Sequence, residues 1–185
     1  RDICGLLESG GIKVGELKVA SHDFFGLSVA ASDGGPAVVV NTWDRISVER
    51  WIFTAAHELG HLILHLSDYD VVHSDEEQAH EEEANAFAAS FLMPDVSFRK
   101  EWDETYGLAF VDRVLKVKRI FRVSYRTVLH RLAADYRGPG NIWARFQMDF
   151  QHRYGRPLLR DDEPDALAQD AFRASFPEDR SAGEP

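Results

Sequence analysis

The sequence predicts an α+β fold: a small antiparallel sheet packed on a helical core, with a helix-turn-helix-like helical part towards the C-terminus. Three observations carry this. Residues 12–41 hold three short segments of strand character, the last two separated by the glycine-containing break Ser32-Asp33-Gly34-Gly35. Residues 48–66 form a proline-free stretch with apolar residues at three- and four-residue steps, the period of a helix that buries one face. Residues 110–137 hold two more helical patterns that meet at Val123-Ser124, and serine is a good N-cap.

In chain order, residues 3–10 read as a short helix stopped by Gly10-Gly11. Residues 12–19 alternate apolar and polar side chains, as a half-buried strand does. Residues 26–31 and 37–41 are two further strands, and Ser32-Asp33-Gly34-Gly35 between them is hairpin chemistry. Strand 37–41 is read as an edge able to hold an extended peptide through main-chain hydrogen bonds. The helix over 48–66 is striped by Ile52, Ala55, Ala56, Leu59, Leu62, Ile63 and Leu66. A second helix is expected over 74–93. Ser74 with Glu77 three residues on forms a capping box, and Pro94 ends it.

Residues 96–108 read as a less regular helix or loop, with Trp102 and Tyr106 as core or lid residues. Val111, Val114, Leu115, Val117 and Ile120 fit one helix, and Tyr125, Val128, Leu129 and Leu132 face inward on the next. Gly138-Pro139-Gly140 is a break. Residues 142–146 form one more helix, with Trp143 and Phe146 docking on the core. Residues 160–164 read as a charged linker, 166–176 as a short helix, and 177–185 as a frayed end.

Within the first long helix stands His57-Glu58-Leu59-Gly60-His61. Residues four apart on a helix share a face one turn apart, so two imidazoles can grip one metal ion. The glutamate between them is placed to take a proton from a nucleophilic water. This is the zinc-protease spacing. The pattern has few fixed letters, but its context supports it. Histidine and glutamate in a buried helix need partners, and a metal supplies one. Gly60 costs roughly 1 kcal/mol relative to alanine, and a small residue there leaves room for another segment to pass close to the metal. His65 lies roughly 12 Å along the axis from His57, too far for both to ligate one ion. It is read as a hydrogen-bonded histidine at the helix end.

A catalytic zinc takes three protein ligands and keeps one open position. The third ligand is sought in Glu81-Glu82-Glu83 of the second helix. Ala84, Phe87, Ala88 and Phe91 set that helix's apolar side. Glu81 falls about 60° from the mean direction of this stripe, Glu83 about 100° away, and Glu82 on the far side. Glu81 is therefore the best inward-facing carboxylate, Glu83 the alternative ligand and Glu82 the solvent-facing one. His80, near the core edge, is a candidate to hold a metal ligand from behind, though a satisfied core histidine is the plainer reading. No motif marks an oxyanion partner; Tyr125 and a histidine of the 73–80 region, such as His80, are the candidates. Zinc is the default ion for two histidines and a carboxylate, while manganese or iron fits the same ligands.

Phe53-Thr54-Ala55-Ala56-His57-Glu58-Leu59-Gly60-His61-Leu62-Ile63-Leu64-His65, with Glu81-x-x-Ala84-Asn85-x-Phe87-Ala88 and Phe91-Leu92-Met93-Pro94, resembles the ImmA/IrrE metallopeptidases. Gly26-Leu27-Ser28 and Val39-Val40-Asn41-Thr42 look like that family's strand elements. Phe121-Arg122-Val123-Ser124-Tyr125 with Arg131-Leu132 looks like its helical tail. The likeness runs over residues 5–136. It implies a zincin-like core and a cytoplasmic metallo-endopeptidase that cuts a helix-turn-helix (Xre-type) repressor, releasing a stress or mobile-element response. It implies His57, His61 and Glu81 as metal ligands and Glu58 as general base. The expected organisation is a metallopeptidase domain over 1–107, a helix-turn-helix-like part packed on it over 108–150, and a partly flexible tail over 151–185.

The whole chain sets further bounds. Its 185 residues are 44% hydrophobic, enough for a domain with a core. A formal charge of -10 argues against nonspecific nucleic-acid binding by the whole surface. Yet Lys116, Lys118, Arg119, Arg122, Arg126, Arg131 and Arg137 make 110–137 locally basic. Direct DNA binding there is the rival reading, set behind a helical pair that packs on the protease domain. A regulator that senses or sequesters a repressor with a protease-like fold is the alternative function. The single cysteine, Cys4, excludes an internal disulfide and suits a reducing cytosol. No segment has the roughly 18 consecutive apolar residues of a membrane span, and no signal peptide opens the sequence. The first residue is Arg1, so a longer protein with an N-terminal DNA-binding module stays open.

Overall fold

The computed structural model describes residues 2–65, 78–133, 138 and 140–173. It divides into two compact units, residues 1–92 with 167–185, and residues 93–166.

In the first unit, Asp2 accepts from the Gly5 N–H and caps helix α1, Ile3–Ser9, whose Ile3, Cys4 and Leu7 are buried. Three strands follow, β1 Lys13–Leu17, β2 Gly26–Val29 and β3 Ala37–Asn41, in the spatial order β1-β3-β2. The sheet is mixed. β2 pairs antiparallel with β3, but β1 pairs parallel with it, from Lys13↔Ala37 to Leu17↔Asn41. The expectation of an all-antiparallel sheet is corrected accordingly. The chain reverses at each connection, so β1 and β3 run the same way, and β3 lies between its predecessors.

Asn41 helps to fix that order. Its fully buried amide donates to the carbonyls of Val19 and Phe24, both at 2.8 Å, and accepts from the N–H groups of Val19 and Trp43 at 3.0 and 3.2 Å. The β1–β2 connection is thereby tied to the end of β3. The β2–β3 connection is longer than a tight hairpin and contains a 3-10 turn, Ala31–Asp33, with Gly34 left-handed at φ 89°. Strand 37–41 is the central strand, so its reading as a peptide-holding edge is also corrected. The outer strand beside the long helix is β2.

That helix, α2, spans Val48–Leu64. Ser47 caps it by accepting the Arg50 N–H at 3.3 Å. Ile52, Ala55, Ala56, Leu59 and Leu62 are buried as the stripe predicts, whereas Ile63 is half exposed. Helix α3, Gln78–Leu92, packs against α2. The expected capping box at Ser74 and Glu77, and Leu66 of the stripe, lie outside the described residues. The chain returns to this unit after residue 166. The Leu167 N–H donates to the buried carboxylate of Glu49 at 2.9 Å, and Phe172 meets Trp51 edge-on at 5.8 Å.

The second unit is helical: α4 Asp95–Glu104, α5 Phe110–Phe121, α6 Tyr125–Ala133 and α7 Ile142–Tyr154. The boundary between the compact units falls after Leu92. The reason is aromatic packing: Phe98 and Trp102 of α4 meet Phe121 and Phe110 of α5, at 6.4 and 6.3 Å. Residues 95–104 are thus a regular helix. Tyr106 is 89% exposed and belongs to no core. Phe146 of α7 is fully buried and stacks on Tyr125 at 5.1 Å.

The stretch read as a charged linker is a clamp. Buried Lys118 pairs with Glu163 at 3.1 Å and donates to the Asp165 carbonyl. Ser124 Oγ and the Tyr125 N–H donate to the same Glu163 carboxylate. Ser124 Oγ also accepts the Arg126 N–H at 3.2 Å, starting α6 as its N-cap role predicts.

Candidate metal centre

His57 and His61 lie one turn apart on α2, and Glu81 stands on the first turn of α3. Their ligand atoms converge. Nε2 of His57 is 3.0 Å from Nε2 of His61, and these nitrogens lie 3.4 and 3.3 Å from the two Glu81 oxygens. A tetrahedral zinc with ligand bonds of 2.0–2.1 Å has ligand–ligand edges of about 3.3 Å. Two imidazole lone pairs and a carboxylate repel at this separation unless a proton or cation lies among them. Spacing and donor chemistry both fit a divalent metal held by His57, His61 and Glu81.

Gly60 makes the convergence sterically feasible. A Cβ there would stand 3.1 Å from a Phe87 ring carbon and 3.2 Å from the Ala84 Cα. Glycine lets α3 run close against α2, which brings Glu81 within reach of the histidines. Glu58, 8% exposed, accepts a 2.9 Å hydrogen bond from Ser28 Oγ of β2. Gly26 of β2 has a similar steric role. A Cβ there would lie 2.5 Å from a Thr54 methyl and 2.7 Å from the Val39 carbonyl. Small residues therefore let the outer strand lie directly along the glutamate side of α2.

Each histidine is held from behind. Nδ1 of His57 lies 3.1 Å from Asn85 Oδ1, so His57 is the donor and carries its proton on Nδ1. That tautomer leaves Nε2 as the coordinating atom. Nδ1 of His61 lies 3.1 Å from Nδ1 of His65, and Nε2 of His65 lies 3.1 Å from Glu83. His80 stacks on His65 at 4.2 Å.

The sequence-predicted residues thus separate. His57, His61 and Glu81 come together, with Glu58 beside them on α2. Glu83 contacts His65 rather than the ligand cluster. Glu82 points away and accepts from Gln78 at 3.0 Å. Tyr125 lies in the second unit, where burial raises its phenol pKa and Phe146 covers its face. Sequence reasoning missed Ser28 and the partnership of Asn85. Asn85 sits one turn after Glu81, a signal that helical phase offers. Nothing in the sequence ties Ser28 to Glu58.

Four of the described basic residues of α5 and α6 are held within their own unit. Lys118 is buried, Arg119 pairs with Asp165, Arg131 pairs with Asp95, and Arg126 donates to the Arg160 carbonyl. Among the described residues, no helix is long and apolar enough to cross a membrane.

A small sheet, a helix bearing HExxH and a carboxylate from the next helix define a metallopeptidase-like domain. Residues 7–133 match the IrrE N-terminal-like domain, a peptidase family. The chain belongs to this family, the ImmA/IrrE family. A solved structure of a Mycobacterium tuberculosis transcriptional regulator is similar in fold, with 20% identity and a TM-score of 0.50. The match covers 71% of this chain and 40% of that one, so this chain spans less than half of that protein's length. No curated protein matches the sequence.

Proposed function

We propose that the chain is a metal-dependent endopeptidase that cleaves a helix-turn-helix (Xre-type) repressor and so derepresses a stress or mobile-element response. The observation that carries this reading is the convergence of His57, His61 and Glu81 at 3.0–3.4 Å, with Glu58 buried on the same helix. A bound divalent cation, zinc by default and manganese or iron by the same ligands, supplies Lewis-acid polarisation of a peptide carbonyl and makes water acidic near neutral pH. The chain's residues do the rest. Glu58 takes the proton of the attacking water on its carboxylate and returns it to the leaving amine. Ser28 holds that carboxylate in one orientation. Asn85 holds the His57 ring. The outer strand β2, beside Glu58, is suited to aligning an extended substrate by main-chain hydrogen bonds. Family membership supports a protein substrate, and the resemblance supports a repressor as that substrate.

The test compares new protein N-termini in cells expressing the wild-type chain or Glu58→Gln, with metal analysis of both proteins. The expected result is a new N-terminus inside one repressor, seen with wild type alone. Identical N-termini from two folded, metal-loaded proteins, with and without stress, would overturn cleavage in favour of a sensing or sequestering role.

A further inference from the structure

We infer that His65 and Glu83 form a positioning relay that sets the tautomer of His61 and tightens the metal centre. The inference rests on the metal-centre reading and concerns residues outside its ligand set. His65 is 5% exposed and reaches in both directions, Nδ1 to His61 Nδ1 and Nε2 to Glu83 Oε2, each at 3.1 Å.

Proton placement follows from the acceptor at the outer end. A carboxylate only accepts, so Nε2 of His65 carries the proton facing Glu83. A neutral imidazole has one N–H, so Nδ1 of His65 is then the acceptor. The facing Nδ1 of His61 must therefore be the donor. That leaves Nε2 of His61 with its lone pair directed at His57 Nε2 and Glu81. The reverse placement protonates His61 on the coordinating nitrogen and sets a lone pair of His65 against the carboxylate.

Glu83 thus orients two rings in series, which fixes the direction of the coordinating lone pair. His80, stacked on His65 at 4.2 Å, fixes the plane of the middle ring. The spacing is a product of helix geometry. His57, His61 and His65 each lie one turn apart on α2, and Glu83 comes from the helix that supplies Glu81.

The experiment measures the zinc affinity of the full chain by competition with a chromophoric chelator, and the visible absorption spectrum of the cobalt form. Thermal melts of each metal-free protein check folding. The variants are His65→Leu, His65→Asn, Glu83→Ala, the double variant His65→Leu/Glu83→Ala, and Glu82→Gln as control. His65→Leu is expected to weaken zinc binding about 10–100-fold, the range for loss of an outer-shell partner. Glu83→Ala weakens it less. His65→Asn recovers part of the loss, because its Oδ1 accepts where Nδ1 did. The double variant is no weaker than His65→Leu alone, since Glu83 acts only through His65. Glu82→Gln leaves affinity unchanged. Zinc binding by folded His65→Leu and Glu83→Ala as tight as wild type would overturn the relay alone. A wild-type chain that binds no zinc, cobalt or manganese would overturn the metal-centre reading and the relay with it. If His65→Leu fails to fold, exposed Glu83 decides: unchanged affinity in Glu83→Ala overturns the relay, and a loss supports it.

Discussion

Glu58 and Glu81 show how two carboxylates one helix apart acquire different tasks. Glu81 meets both histidines, the place of a ligand in the proposed centre. Glu58 is turned to Ser28, and the proposed function gives it the handling of protons. Glu58→Gln is therefore expected to keep its metal while hydrolysis falls by about 10²–10⁴-fold, the usual range for a general base. Metal content measured alongside turnover would separate the two effects. Glu81→Ala is expected to lose metal, while Glu82→Ala keeps it; equal metal content in both would remove Glu81 from the ligand set. Cys4 illustrates what burial does to a titratable side chain. Burial pushes its thiol from an ordinary value near 9 up to about 11. The neutral thiol is favoured in the fold, so its stabilising contribution is complete below about pH 9 and is lost as pH rises through 11. Thiol labelling at pH 8 should be slow in the native protein and fast in denaturant. Fast native labelling would show that Cys4 is not buried in solution.

Close approach governs the elements. Helix propensity alone says that Gly60→Ala stabilises α2, by roughly 1 kcal/mol. The contact with Ala84 opposes this, because the added methyl meets backbone rather than a flexible side-chain end. The expected outcome is weaker metal binding, as α3 and Glu81 move away from the histidines. An alanine variant with wild-type affinity would show that the helix pair has slack. Gly26→Ala tests the other face of α2. Its methyl meets Thr54 and the Val39 carbonyl, so β2 must shift and carry Ser28 from Glu58. Catalysis should fall with metal affinity unchanged.

Each unit of the molecule offers its own polar support. In the first, a metal bound only by the folded state would stabilise it by about 2.7 kcal/mol at a free concentration one hundred times the Kd. Chelator should lower the melting temperature, and restoring metal should raise it. In the second unit, Lys118 and Glu163 are both nearly inaccessible. Lys118→Ala leaves a carboxylate buried, and the expected cost is about 3–5 kcal/mol, read from urea unfolding. The double change Lys118→Met/Glu163→Gln should cost less, since no lone charge is left inside. The same burial removes Lys118 from any DNA-facing surface. Duplex binding by the isolated chain should accordingly show no steep salt dependence.

Local pattern determined a good deal here. The period of residues 48–66 gave α2, and four-residue spacing placed His57 and His61 on one face. The phase of Ala84, Phe87, Ala88 and Phe91 chose Glu81 among three adjacent glutamates, because a rigid helix converts sequence spacing into direction. Tertiary structure decided whatever depends on residues far apart in the chain. Asn41 ties residues 17 and 22 positions away, and β3 entered the middle of the sheet, leaving β2 as the outer strand. Ser28 reached Glu58 across thirty positions, and Glu163 drew a supposed linker into the second unit's core. His65, set apart from the ligands by distance along one helix, found its partner Glu83 on another. Helical periodicity fixes the direction of a side chain, but only packing between elements fixes what stands in its way.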